Sequence, residues 1–427
     1  MLSHYLDLAL RSLRRNPVLT LLMVLTTAIG VGAAMTTLSV YRMLSADPIP
    51  EKSARLFRVH VGATQALTEP MANADAVLTP HDAAQLLHEA RGLRQSIVFS
   101  GDIALTTATT THRPVDGAFV AATRDFFPMF LVPMRYGMSW SAQDDASHAR
   151  VAVLSHELNA ALFSGTDSTG KLLYLGRDQP PLRVIGVAAH WRPVPKFHRT
   201  SAMFSTTPEV FLPQSTARDL GLTGNGLTIC PPNIRNMQQC AWQHYWVELD
   251  PGGVDAYRHY LRSYLQRQQA SGRLAGRHDP QLVSLMDWLR QQGLIPADFY
   301  LQLWLAFGFL AACQINMAGL LLAKFAQRRN EIGIRRALGA RRGHIFGQFL
   351  GEAGLIGLLG GVAGIGMTAL GLWGVRHQPV SYSATAGLDA AMVCISLGVA
   401  VVVSLLSGLL PAWHAMHVAP AIQIKSP

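Results

Sequence analysis

The sequence predicts an α-helical membrane protein with four transmembrane helices and a large mixed α+β domain inserted between helices 1 and 2. Three observations predict it. Of 427 residues, 49% are hydrophobic and only 15% charged, whereas soluble domains carry nearer a quarter charged residues. The apolar residues gather in four long charge-free runs. About 250 residues of ordinary polarity separate the first run from the second, enough for a core of their own. Such hydrophobicity excludes a disordered chain, and four cysteines are too few for a disulfide scaffold.

Residues 1–16 read as an interfacial helix. Leu2, Tyr5, Leu6, Ala9, Leu10 and Leu13 fall on one face, and Arg11, Arg14 and Arg15 stand at its membrane end. Residues 17–42 form the first span. The run between Arg15 and Arg42 is longer than a signal-peptide core and no cleavage site follows it, so it is a retained anchor. Residues 298–323, 348–375 and 389–413 are the other spans, from the runs Asp298 to Lys324, Glu352 to Arg376 and Asp389 to His414. Each holds more than 20 uncharged residues, and at about 1.5 Å per residue that exceeds the roughly 30 Å hydrocarbon layer. Residues 324–347 and 376–388 are the intervening loops, and 414–427 the tail.

The third span is rich in glycine. In water each would cost about 1 kcal/mol against alanine, but in lipid the backbone must bond to itself and the helix persists. Gly357 and Gly361, like Gly360 and Gly364, have the GxxxG spacing of close helix–helix packing, either between chains or against the other spans.

Basic residues orient the chain. Arg11, Arg14 and Arg15 precede span 1; Lys324, Arg328, Arg329, Arg335, Arg336, Arg341 and Arg342 crowd the loop between spans 2 and 3; the loop after span 3 carries only Arg376. The positive-inside rule places both termini and the basic loop in the cytoplasm, and residues 43–297 outside. The formal charge of +10 therefore records membrane orientation rather than nucleic-acid binding, and the outer domain is near neutral.

In the outer domain, strands are predicted at Leu56–Val61, Val151–Leu154, Leu182–Val187, Glu209–Leu212 and Tyr245–Leu249. Helices are predicted from the Thr79-Pro80-Asp82 start through Arg91, from Ser155 through Phe163, and from Val254 to Gln269. Cys230 and Cys240 bracket CPPNIRNMQQC; in an oxidising compartment they close a local disulfide, and in a reducing one they are free thiols. Cys313 and Cys394 lie in spans as small packing residues. Gly165 to Lys171 matches GxxxxGK, but Leu172 stands where a Mg²⁺-binding hydroxyl is needed and LLYLGRDQPPLRVIGV reads as a hairpin, so this is a surface turn. The histidines, His156 with Glu157, His190, His414 and His417 among them, show no HExxH spacing. No GxSxG elbow appears either. No catalytic, cofactor or metal residues are assigned.

The segment Arg328 to Ala340 mixes charge with apolar residues at helical spacing. Ile332, Ala337 and Leu338 form a small apolar face amid Glu331, Arg335 and Arg336, and Gly339 ends the helix. That fits a short helix docking on another protein, and equally a generic positive-inside loop.

This stretch resembles the signature of MacB-like ABC transporter permeases, the type that includes FtsX and the lipoprotein-release permeases. The matching residues are Asn316, Leu320 to Ala323, Arg328-Arg329, Glu331-Ile332, Arg335 to Ala340, Gln348, Glu352 and Gly360-Gly361. Ser12 to Pro17, Pro411-Ala412 and Ala419 to Ile422 resemble the family's two ends, and VAVLSHELNAALF, Gly170-Lys171 and VIGV resemble its MacB-type periplasmic core domain. The resemblance implies a non-catalytic permease of the inner membrane. It works as a homo- or heterodimer and transmits ATP-driven motion to its periplasmic domain for export of antibiotics, peptides, lipids or similar amphiphiles. Arg328, Arg329, Glu331, Ile332, Gly333, Arg335, Arg336, Ala337, Leu338, Gly339 and Ala340 would be the helix that couples to an ABC ATPase dimer. ATP and Mg²⁺ would be bound by that ATPase, expected on a separate chain because the sequence starts at the leading helix. A periplasmic adaptor and a TolC-type outer-membrane channel are further implied partners. The alternatives are an FtsX-like transmitter acting on a cell-wall enzyme and a lipoprotein-release permease.

Overall fold

The computed structural model describes residues 16–60, 77–107, 114–176, 179–199, 203–226, 228, 230, 240–273, 280–295, 297–328, 333–334, 341–378, 382 and 387–416. The predicted interfacial helix and most of the C-terminal tail lie outside them. In chain order the elements begin α1 (Pro17–Ser45), β1 (Leu56–His60), α2 (Pro80–Glu89), β2 (Arg94–Thr106), β3 (Val115–Ala122), α3 (Phe126–Met129), β4 (Met134–Gly137) and α4 (Ala142–Ala146). There follow β5 (Val151–Leu154), α5 (His156–Phe163), β6 (Leu172–Leu175), β7 (Leu182–Ala188), β8 (Glu209–Pro213), α6 (Gln214–Asp219) and β9 (His244–Glu248). The chain closes with α7 (Val254–Ala270), β10 (Gln281–Ser284), α8 (Leu285–Gln291), α9 (Ala297–Ala326), α10 (Arg342–Arg376) and α11 (Ala390–Met416). Two compact units result, Met1–Leu44 with Ile295–Pro427, and Ser45–Leu294.

The helical unit consists of α1, α9, α10 and α11, each long and apolar enough to cross a membrane. Their outward side chains are large and apolar, among them Leu21, Leu25, Trp304, Leu370, Trp373, Leu406 and Trp413, as lipid contact requires. Small residues face inward. A Cβ placed on Gly360 would lie 2.7 Å from Thr27 Cγ2 of α1, and one on Gly361 2.9 Å from Ala400 Cβ of α11. Gly364 likewise meets Val31 of α1, and Gly357 meets Ser404 of α11. The two interleaved GxxxG pairs thus serve two different neighbours within the chain, one stripe toward α1 and the other toward α11.

The inserted unit carries one sheet in the order β10-β1-β9-β2-β3-β8-β5-β7-β4, with β6 bridging β2 and β7. Its first part is a split βαβ arrangement. Strands β10, β1, β9 and β2 each run antiparallel to their neighbour, although β2 and β9 stand far apart in sequence, and α2 and α7 cover one face. Phe57, Val59, Ile97, Tyr245 and Val247 pack there with Leu86, Leu261 and Tyr264. The alternate residues Leu56, Val98 and Trp246 enter a second core that includes Trp288 of α8 and Phe126 and Phe130 at α3. In the remainder, β3 pairs parallel with β8, and β5 pairs parallel with β7.

The five predicted strands are present with ends shifted by a residue or two. Strands β2, β3, β4 and β10 have no counterpart in the sequence prediction, whereas β6 and β7 are the two antiparallel arms of the hairpin expected over LLYLGRDQPPLRVIGV. The predicted extension of α2 to Arg91 stops at Glu89, because Ala90 turns left-handed at φ 48°. The caps at Thr79 and Ser155 do accept the backbone N–H groups of Asp82 and Leu158, at 3.1 and 3.2 Å. After Lys171 comes strand β6, antiparallel to β7, where a phosphate-binding loop would need a helix.

Candidate functional site

Helices α9 and α10 flank the basic loop that carries the predicted docking helix. Of its predicted residues, Arg328 follows the end of α9, where its N–H donates to Phe325 O at 3.1 Å. Gly333 is helical and buried, beside helical, exposed Ile334. Arg329, Glu331, Ile332, Arg335, Arg336, Ala337, Leu338, Gly339 and Ala340 lie outside the described residues. Arg341 and Arg342 open α10 exposed to solvent, and no side chain caps that end. Cations at a helix N-terminus oppose its dipole, typically by about 0.3–1 kcal/mol. These arginines therefore gain nothing from the α10 dipole.

At the root of this loop the two helices are joined by charge. The Lys324 ammonium of α9 donates to Glu352 Oε1 of α10, and both side chains are 0% exposed. The Phe325 and Phe349 rings pack beside the pair, tilted by 39° with centroids 3.9 Å apart. Met23, Leu321, Ile345, Ala353 and Ala412, from all four helices, form the apolar cluster at this end. Glu352 Oε2 has no hydrogen-bond partner among the described residues. A lone charge inside a membrane helix costs about 2.5–3.5 kcal/mol by insertion scales, so each group depends on the other.

Lys324 falls in the predicted loop 324–347, while Glu352 lies within the predicted span 348–375 at the edge of its charge-free run; the structure buries both side chains inside the bundle. The signal was their symmetry. They stand equally far from Leu338 on either side of the loop, as residues facing each other across an antiparallel helix pair must. A weaker polar contact lies deeper, where Ser407 Oγ of α11 donates to Gln314 Oε1 of α9 at 3.1 Å.

In the inserted unit, Cys230 and Cys240 form a disulfide, and Cys240 is buried in a core with Phe99 and Trp242. A separate charged cluster braces β8. Glu209 accepts from Lys196 Nζ at 2.9 Å and from His198 Nε2 at 3.0 Å, while its own N–H donates to Ser155 Oγ at 3.0 Å. Burial pushes the Glu209 carboxyl up, but His198 and then Lys196 outweigh it and hold it at about 2. Burial lowers the His198 imidazole, opposed by Glu209. The brace ties the β8 strand to the segment holding Lys196 and His198 and to the cap of α5.

Comparison with known proteins adds identity. A family model described as MacB-like periplasmic core domain matches residues 20–256, and one described as FtsX-like permease C-terminal matches residues 303–420. The macrolide export ATP-binding/permease protein MacB of Marinobacter nauticus is 28% identical over 98% of this chain and 60% of its own length. The pyoverdine export ATP-binding/permease protein PvdT of Pseudomonas entomophila is 27% identical over 72% of this chain and 43% of its own. The chain spans about half the length of the curated relatives it matches. The crystal structure of the periplasmic region of MacB from Actinobacillus actinomycetemcomitans aligns with a TM-score of 0.37 at 15% identity, over 57% of this chain and 97% of that one.

Proposed function

The chain belongs to the MacB-like family of ABC transporter permeases, and from that premise we propose that it couples an ABC ATPase to movement of its periplasmic domain. The observation that carries the reading is the loop between α9 and α10. It holds the family's RRALGA block, an exposed helical Ile334, and exposed Arg341 and Arg342 at its exit. An apolar knob among cations suits a groove on an acidic partner. In this reading both termini and the loop are cytoplasmic, and Glu331, Arg335 and Arg336 make the polar contacts to the ATPase. Ile332, Ala337 and Leu338 make the apolar ones. ATP and Mg²⁺ stay with the ATPase, and this chain performs no bond chemistry.

Relatives named for macrolide and pyoverdine export support an amphiphilic or peptide-like substrate handled by the periplasmic domain. The disulfide Cys230–Cys240 agrees with that domain facing an oxidising compartment. A second copy or a related permease completes the assembly, and an adaptor with a TolC-type channel would carry substrate onward.

The test is reconstitution with the ATPase in nanodiscs. The variant E331A/R335A is expected to insert normally but to lose permease-dependent stimulation of ATP hydrolysis by about five-fold or more, the scale of an ordinary coupling energy. Wild-type stimulation in that variant would remove the loop from the coupling route.

A further inference from the structure

We propose that Lys324 and Glu352 are positioning residues that clamp the two roots of the coupling loop, so that α9 and α10 answer a push on the loop as one body. The proposal rests on the coupling function given above and names the residues that make it mechanical.

Four observations carry it. Both charges are fully buried. They join two helices that are otherwise connected at this end by a loop running from Gln327 to Arg341. The Phe325 and Phe349 rings meet beside the pair, so charge and aromatic packing act at one point. Finally, apolar residues of all four helices gather at this end of the bundle, and Glu352 Oε2 finds no partner among them.

Stability alone is a poor reason for such a pair. Replacing a buried ion pair by well-packed apolar residues is commonly neutral or stabilising, and methionines would fill this space without burying charge. What an ion pair supplies that methionine does not is registry. The ammonium can bond the carboxylate over only a narrow range of relative height and rotation of the two helices, and slippage beyond it strands both charges in an apolar setting. Apolar contacts slide at little cost. A loop hung on such a clamp passes its displacement to both helices together, whereas on sliding roots the loop would be displaced and the helices would lag.

The test uses the full-length permease in nanodiscs. Spin labels are placed at the exposed roots through Q327C and G343C in a C313A/C394A background, and the distance distribution is read by pulsed electron resonance. The wild-type background is expected to give one narrow distance. K324M/E352M is expected to fold, insert and bind the ATPase at wild-type stoichiometry, yet to show a clearly broader distribution and an about five-fold loss of ATPase stimulation. The reversed pair K324E/E352K restores both. An unchanged width in K324M/E352M, or stimulation kept above roughly half of wild type, overturns the clamp and leaves the pair a folding device. Failure of the wild-type permease to bind or stimulate the ATPase is a different result, which refutes the coupling function itself; the distance measurement still reads the clamp.

Discussion

In the inserted unit, buried Glu209 is held by Lys196 and His198, and buried Glu248 by Lys52 at 3.0 Å and Arg94 at 2.9 Å. In the helical unit, Lys324 and Glu352 are ion-paired with each other. Glycine divides the same way. Gly165, Gly170 and Gly176 of the inserted unit take φ of +75°, +82° and +75° in turns with open space around them. Gly357, Gly360, Gly361 and Gly364 sit mid-helix with a neighbouring span pressed against them. Beside water, a glycine is chosen for its backbone freedom and a buried charge is shared among several partners. Within a membrane bundle, glycine is chosen for the side chain it lacks, and a charge is kept only where one counter-charge can be placed opposite.

The largest predicted difference comes from removing one partner. E352A leaves Lys324 uncompensated and is expected to cost roughly 3–5 kcal/mol, read as a lower unfolding temperature of the detergent-solubilised chain, with K324M/E352M close to wild type. Equal loss in both variants would mean that packing, rather than charge, governs the site.

Next is acid. The Glu209 carboxyl is held at about 2 against its ordinary 4.5. Its stabilisation, roughly 3 kcal/mol by linkage, is complete above pH 4.5 and is lost as the pH falls from 4.5 toward 2. His198, lowered from its ordinary 6.5 by burial, adds loss in the same direction, beginning as the pH falls through 6.5. Asp145 works in the opposite sense. Burial raises it to about 6 from 3.8, so its contribution is greatest below 3.8 and disappears as the pH rises to 6. Tryptophan-monitored unfolding of the full chain should therefore show an acid slope below pH 4.5 that E209Q lacks. The same slope in E209Q would assign the acid sensitivity elsewhere.

Glycine gives the smallest effects and the sharpest contrast. G360A drives a methyl into Thr27 and is expected to cost about 1–3 kcal/mol by overpacking. G165A meets no atom and strains only its left-handed backbone, at about 1 kcal/mol. Restoring space with T27G should rescue G360A and leave G165A unchanged. If the rescue fails, the α1–α10 contact is looser than the backbone approach indicates.

The four spans were legible because a membrane forbids charge over a continuous stretch, a constraint written along the chain. The inserted sheet was only half legible. Strand β2 reads RQSIVFSGDIALT, where Ser96, Ser100 and Asp102 share one face but Gln95 and Val98 interrupt the alternation; cores cover both faces, so even Ser96 and Ser100 are buried and no solvated side marks the period. Strands β2 and β9 pair across an intervening stretch longer than many domains, and no local pattern reports that. The clamp was missed for a related reason. Charge counting along the sequence assigns Lys324 to a basic loop and leaves its partner Glu352 in the next span; their equal distance from Leu338 carries meaning once α9 and α10 are seen to bring them together.

Strand β2 has one further consequence. Its residues 94–98 pair with β9, residues 98–105 with β3, and residues 105–106 with β6. A single rod of backbone therefore belongs to both halves of the inserted sheet, and Val98 is bonded into both ladders at once. Shearing one half past the other would tear a continuous run of hydrogen bonds rather than flex a linker. A force passed from one half of this sheet to the other therefore runs through the backbone of β2.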